Sequence, residues 1–126
     1  MLTQKQALKV IQWCTNQLGL EAWKLKLWYQ DDIPKNFGFM GADISGGCLP
    51  NRQSRYAQIW ISPSRCGTKK NIIITICHEM VHVFEQDNGL AKIDNNDSEH
   101  IAFRLEGVLA KAYLAGVKYD KWNSKN

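Results

Sequence analysis

Residues 74–82 read ITICHEMVH and hold two of the chain's three histidines, four residues apart. On an α-helix, residues i and i+4 share a face and lie about 6 Å apart along the axis. Two imidazoles so placed can converge on one metal ion. Glu79 directly follows His78 and falls one step round the helix. From there a carboxylate addresses a metal-activated water rather than the metal. Zinc lowers the pKa of its bound water to about 7. A carboxylate beside it can take the proton as the water attacks a carbonyl, then pass it to the leaving amine. The H-E-x-x-H spacing follows from this chemistry. His78 and His82 are therefore candidate zinc ligands, and Glu79 is the candidate general base. The competing reading is a buried helix with two hydrogen-bonded histidines. Ile72, Ile73, Ile74, Ile76, Met80, Val81, Val83 and Phe84 make this helix apolar nearly all round, which means burial. Burying two histidines and a glutamate is costly unless they pair or bind something. A zinc ion removes that cost.

A catalytic zinc takes three protein ligands and keeps one position open. The longer pattern H-E-x-x-H-x-x-G-x-x-H fails, because Glu85 and Asn88 stand where its glycine and histidine belong. Downstream candidates are Asp94, Asp97, Glu99, His100 and Glu106. The last helical pattern has the apolar stripe Ile101, Ala102, Leu105, Val108, Leu109 and Ala112. At about 100° per residue, His100 points almost opposite that stripe, while Glu99 and Glu106 lie at its edge. Glu99 ranks first as third ligand. His100, the only other histidine, is the alternative, with Glu106 after it.

The elements that must position these residues are legible in outline. Thr3 can cap a helix over residues 3 to about 17, with Ala7, Leu8, Val10, Ile11, Cys14 and Leu18 as its stripe and Gly19 as its stop. WKLKLWY, residues 23–29, alternates with period two and predicts a strand with one buried face. Residues 36–47 carry four glycines and predict a weak strand or hairpin with loops. YAQIWI, residues 56–61, predicts a second clear strand, ended by Ser62 and Pro63. Thr68 opens the longest helix, running to about Asp87, with Gly89 beyond its end. Asp97 or Ser98 can cap a last helix reaching about Ala115, stopped by Gly116. Helix, strands, helix, helix is an α+β order.

The 126 residues fit a single domain spanning 1–126, with a basic tail at about 117–126. The start lacks the basic end and apolar run of a signal peptide. No stretch approaches the roughly 18 apolar residues of a membrane span. A cytoplasmic protein with no membrane partner is expected. The four cysteines contain no C-x-x-C pair, so reduced thiols are expected and a Cys48–Cys66 bridge is unforced. Net charge is +4. The tail combines Lys118, Lys121 and Lys125 with Tyr119 and Trp122. It could contact nucleic acid, but a fraying solvated end is the leading expectation. Trp60, between Ile59 and Ile61, is a candidate for the cleft.

TICHEMVHVFEQDNG followed by DSEHIAFRLEGVLAKAY resembles the small zincin-fold proteins of bacteria and phages known as minigluzincins. LGLEAWKLKLWYQ and YAQIWIS extend the likeness, which covers roughly residues 18–114. H-E-x-x-H is its specific part. The resemblance implies a minimal zincin-like fold. That fold has an N-terminal helix, a small and mostly antiparallel sheet, an active-site helix and a C-terminal ligand helix. It also implies Zn²⁺ with a glutamate as third ligand, which Glu99 matches. YAQIWIS would be the edge strand along which zincins lay substrate. SprT-like proteases, which act on DNA-linked proteins, are a second resemblance. Their later histidine would be His100, with Ile101 where that group has glycine.

The expected function is a zinc-dependent metallopeptidase acting on a peptide or protein substrate. Tyr113, Arg104 and His100 are candidates to stabilise the developing oxyanion. The alternatives are an idle zincin-fold binding module, as in a phage or toxin–antitoxin complex, and a SprT-like protease of DNA-associated proteins. Glu79 speaks against the idle module, since a structural zinc needs no base.

Overall fold

The computed structural model describes residues 1–38, 44–90 and 95–124, with the side chains of 95–101, 103 and 118–124 outside that description. Helix α1, Gln4–Leu18, starts at a capping box. The Thr3 hydroxyl accepts from the Gln6 amide, and the Gln6 side chain accepts from the Thr3 amide. It ends at Gly19, whose φ of 67° is a left-handed conformation suited to glycine. Ala7, Val10, Ile11 and Cys14 of the predicted stripe are buried, while Leu8 is exposed.

Strands β1 (Lys24–Tyr29), β2 (Gly46–Asn51) and β3 (Tyr56–Ile61) form one sheet in the order β1-β3-β2. β3 runs antiparallel to β2 and parallel to β1. The sheet is therefore mixed, not mostly antiparallel as expected. The register gives the reason, since Tyr29, Ile61 and Gly46 align at one end. The chain leaves β1 and begins β2 at that same end, on the opposite edge. The hairpin then returns β3 into the slot between them, alongside β1. The strand forecast in 36–47 lies later, at 46–51. Its Pro50 has no amide to donate, which an edge strand tolerates.

Ser62 and Pro63 do more than end β3. The Ser62 hydroxyl accepts from the Arg65 amide, and Pro63 opens a one-turn helix α2, Pro63–Cys66. Asp31 braces this corner by accepting from the Ser64 hydroxyl and amide and the Ser62 hydroxyl. Those bonds, Ser64's first, hold its carboxyl below the usual carboxylate range.

Helix α3, Lys69–Asp87, is capped by Thr68. Its far end is tied to the start of β1 by Trp23, whose indole donates to Asp87 Oδ1 at 2.9 Å. Helix α4, Asn95–Ser124, runs well past the predicted stop. Gly116 continues the helix. A glycine lowers helix propensity by about 1 kcal/mol but does not by itself end a helix. No described helix is long and apolar enough to cross a membrane.

The core lies between the sheet and the helices. Ala57, Ile59 and Ile61 of β3 meet Val10, Ile11 and Cys14 of α1 and Ile72, Ile76 and Met80 of α3. Fully burying one such isoleucine or methionine contributes about 1.5–3 kcal/mol. On the sheet's other face, Trp60 is completely buried and donates to the Gln30 carbonyl. Trp28 pairs beside it in register, and Gln58 accepts from Trp28 and from Asn36. Trp60 therefore lies on the face away from α3, under the segment after β1, and not in the cleft.

All four cysteines are free thiols. The pair in contact is Cys14 and Cys77, with Sγ atoms 3.8 Å apart between α1 and α3. Their hydrogen bond and burial push the Cys14 thiol far above its ordinary pKa. The Cys66 thiol faces Thr75 Oγ1 and the Ser45 carbonyl.

Candidate metal centre

α3 is buried on nearly every side, as its sequence requires, and carries Ile72, Ile76, Met80 and Val83 into the core. The helical spacing then stacks His78 and His82 on one face, with ring centroids 4.8 Å apart. Their Nε2 atoms face each other at 3.2 Å. Each ring's opposite nitrogen faces a carboxylate. His78 Nδ1 is 3.0 Å from Glu106 Oε2 on α4, and His82 Nδ1 is 3.2 Å from Glu85 Oε1 on α3 itself.

A carboxylate at Nδ1 favours a proton there, which assigns the ring lone pair to Nε2. With Nδ1 protonated in both rings, both Nε2 lone pairs would face a common point; without a cation the 3.2 Å contact is a hydrogen bond in which one ring donates. A cation at that point satisfies both lone pairs. Two nitrogens on a tetrahedral zinc, at about 2.0–2.1 Å each, stand about 3.3–3.4 Å apart. The 3.2 Å separation is close to that chord. Zinc-bound histidines also typically donate their other N–H to a carboxylate. The donor set present here fits zinc.

Glu79 is only 6% exposed. It borders an open cleft of about 350 Å³ lined by Ser45, Gly46, Thr75, His78, Glu79 and Glu106. The sheet strand beside this cleft is β2. YAQIWIS, expected at the edge, is the central strand β3, because β1 and β2 flank it. β2 approaches α3 closely at Gly46. A Cβ at that position would lie 2.7 Å from Thr75 Cγ2, 3.0 Å from the Trp60 carbonyl oxygen and 3.4 Å from Glu79 Oε2. Thr75 has little room to yield, since its hydroxyl donates to the Asn71 carbonyl. Gly46→Ala should therefore push β2 off α3 and cost about 1–3 kcal/mol, read from the urea midpoint. A midpoint equal to that of the wild type would contradict this packing.

Of the third-ligand candidates, Glu106 faces His78 through Nδ1, the nitrogen turned away from His82. The side chains of Asp97, Glu99 and His100, and all of Asp94, lie outside the described residues. Among the described residues, no three His, Cys, Asp or Glu side chains form a metal-holding group. Arg104 is exposed. Tyr113 packs edge-on against Trp13 at 5.5 Å, joining α4 to α1, and burial pushes its hydroxyl pKa up.

Two residues at the site carried no sequence assignment to it. Glu85 was visible only as a mismatch to a longer zinc pattern. Its signal was a carboxylate three residues after His82, on a helix apolar nearly all round. Gly46 had no local signal, because its close approach involves residues far along the chain, Trp60, Thr75 and Glu79. Compared with protein-family models, curated proteins and solved structures, the chain finds no match.

Proposed function

We propose that the chain is a zinc-dependent metallopeptidase. The observation that carries this reading is the pair of Nε2 atoms at 3.2 Å, each ring backed by a carboxylate at Nδ1. His78 and His82 would hold the zinc. Glu99 is the proposed third ligand, with His100 as the alternative. The helical register supports Glu99. Position 99 shares a face of α4 with Ala102, which is fully buried, and falls about 20° from Glu106, which meets His78. When bound, zinc would supply Lewis-acid activation of water.

Glu79 is the base in this reading. Its buried carboxylate borders the cleft and can take a proton from water, then return it to a leaving amine. The outer edge of β2 offers backbone groups to an extended peptide, the usual way a strand is added to a sheet. Gly46 leaves room for that strand to run directly beside Glu79. The resemblance to minigluzincins rests on His78, Glu79 and His82 among these residues.

Metal content tests the reading. Wild-type protein should purify with, or take up, about one zinc per chain. His82→Ala and Glu99→Ala should lose it, and His100→Ala should keep it. Loss on His100→Ala alone would move the third ligand to His100 and favour the SprT-like alternative. A wild type that takes up no zinc would defeat the proposal.

A further inference from the structure

Glu85 is 1% exposed, and neither of its carboxylate oxygens has a hydrogen-bond partner among the described residues. The side chain it faces is His82, with Nδ1 at 3.2 Å from Oε1. That contact is close enough for an ion pair, but it is not aligned as a hydrogen bond. A carboxylate this deep is costly unless a positive charge faces it. It also stands near the C-terminal end of α3, where the helix dipole disfavours an anion. A metal ion on His82 changes the balance, because it makes the far N–H of the ring more acidic and draws it toward a carboxylate.

We infer that Glu85 is a positioning residue for the metal. It would orient the His82 ring, hold its proton on Nδ1, and supply a buried negative charge matched to a divalent cation held at Nε2 of that ring. The motif in this chain is then H-E-x-x-H-x-x-E, all on one helix. Glu106 would do the same for His78 from α4, at 3.0 Å and partly exposed at the cleft. Glu85 differs in having no access to water and no alternative partner among the described residues. The inference rests on zinc binding at His78 and His82.

The role separates from a structural one by sign. Glu85→Gln keeps the shape and removes the charge. Glu85→Met fills a similar volume with apolar atoms. Both should bind zinc about 10- to 100-fold more weakly than wild type, measured by competition with a chelating dye and zinc alone. Both should melt no lower than wild type in the metal-free state, and Glu85→Met should melt higher, because a buried uncompensated charge is gone. His82 can then turn its freed N–H toward water, being 18% exposed. Unchanged zinc affinity with lowered metal-free melting temperatures would make Glu85 part of the core alone and overturn the inference. A wild type without zinc affinity would overturn it together with the metal reading. Zinc-binding wild type with equally tight variants would overturn only the role of Glu85.

Discussion

Glu79→Gln is expected to keep zinc and lose hydrolysis. The two imidazoles, not Glu79, present their Nε2 atoms to each other at 3.2 Å, so the metal content should not change. Glutamine preserves the size of the side chain against Gly46 and Thr75, where there is little slack. What it cannot do is accept a proton from water. General-base catalysis contributes about 10²–10⁴-fold, and turnover of an unstructured protein substrate should fall by that factor. The measurement is a peptidase assay on zinc-loaded wild type and variant, with metal content determined on the same samples. Equal rates in the two proteins would remove Glu79 from the chemistry. Loss of zinc in the variant would instead make the glutamate a ligand.

The largest stability effect is expected at Trp60. The indole is completely buried on the sheet face opposite α3, donates to the Gln30 carbonyl and lies under the Arg65 guanidinium at 5.7 Å. Trp60→Ala should cost about 3–5 kcal/mol, a large part of the roughly 5–15 kcal/mol that holds a domain of this size together. Trp60→Phe keeps most of the apolar area and leaves the Gln30 carbonyl without its donor, which costs about 1–3 kcal/mol if water cannot reach it. Chemical unfolding of the three proteins gives both numbers. A loss below about 1 kcal/mol for Trp60→Ala would mean that this layer closes over the missing ring and adds little. The effect should extend to the cleft, since the Trp60 carbonyl is one of the atoms against which Gly46 packs.

How much of this was legible in the sequence depended on range. α1, β1, β3 and α3 were readable because their signals are local. A capping threonine, a stripe of period 3.6 or an alternation of period two needs no knowledge of the rest of the chain. The same holds for His78, Glu79 and His82, whose mutual placement is a property of one helix. β2 was misplaced because GGCLPN has glycines and a proline where a strand usually has branched residues; its pairing with β3 and its packing on α3 decide its state. The sheet's mixed direction was hidden for a related reason, since strand order is set by which edge the chain returns to. Trp60 was read toward the cleft because alternation separates two faces but does not name them. The extent of α4 was underestimated because Gly116 is a weak stop when the helix around it is otherwise supported. The contact between His78 and Glu106 joins residues 28 apart and had no sequence signature.

His78, Glu79, His82 and Glu85 span about two turns of α3. Their relative positions are fixed by the backbone hydrogen bonds of a single helix, at a rise of 1.5 Å per residue. No loop tolerance and no sheet register enters into them. Motions that shift helices against the sheet carry the four side chains along as one rigid cassette. Among the described contacts to the two imidazoles, Glu106 is the one supplied from another element. The precision of the centre is thus inherited from secondary structure. From the rest of the fold, the spacing of α4 sets how Glu106 meets His78, and the spacing of β2 sets how closely Gly46 approaches Glu79.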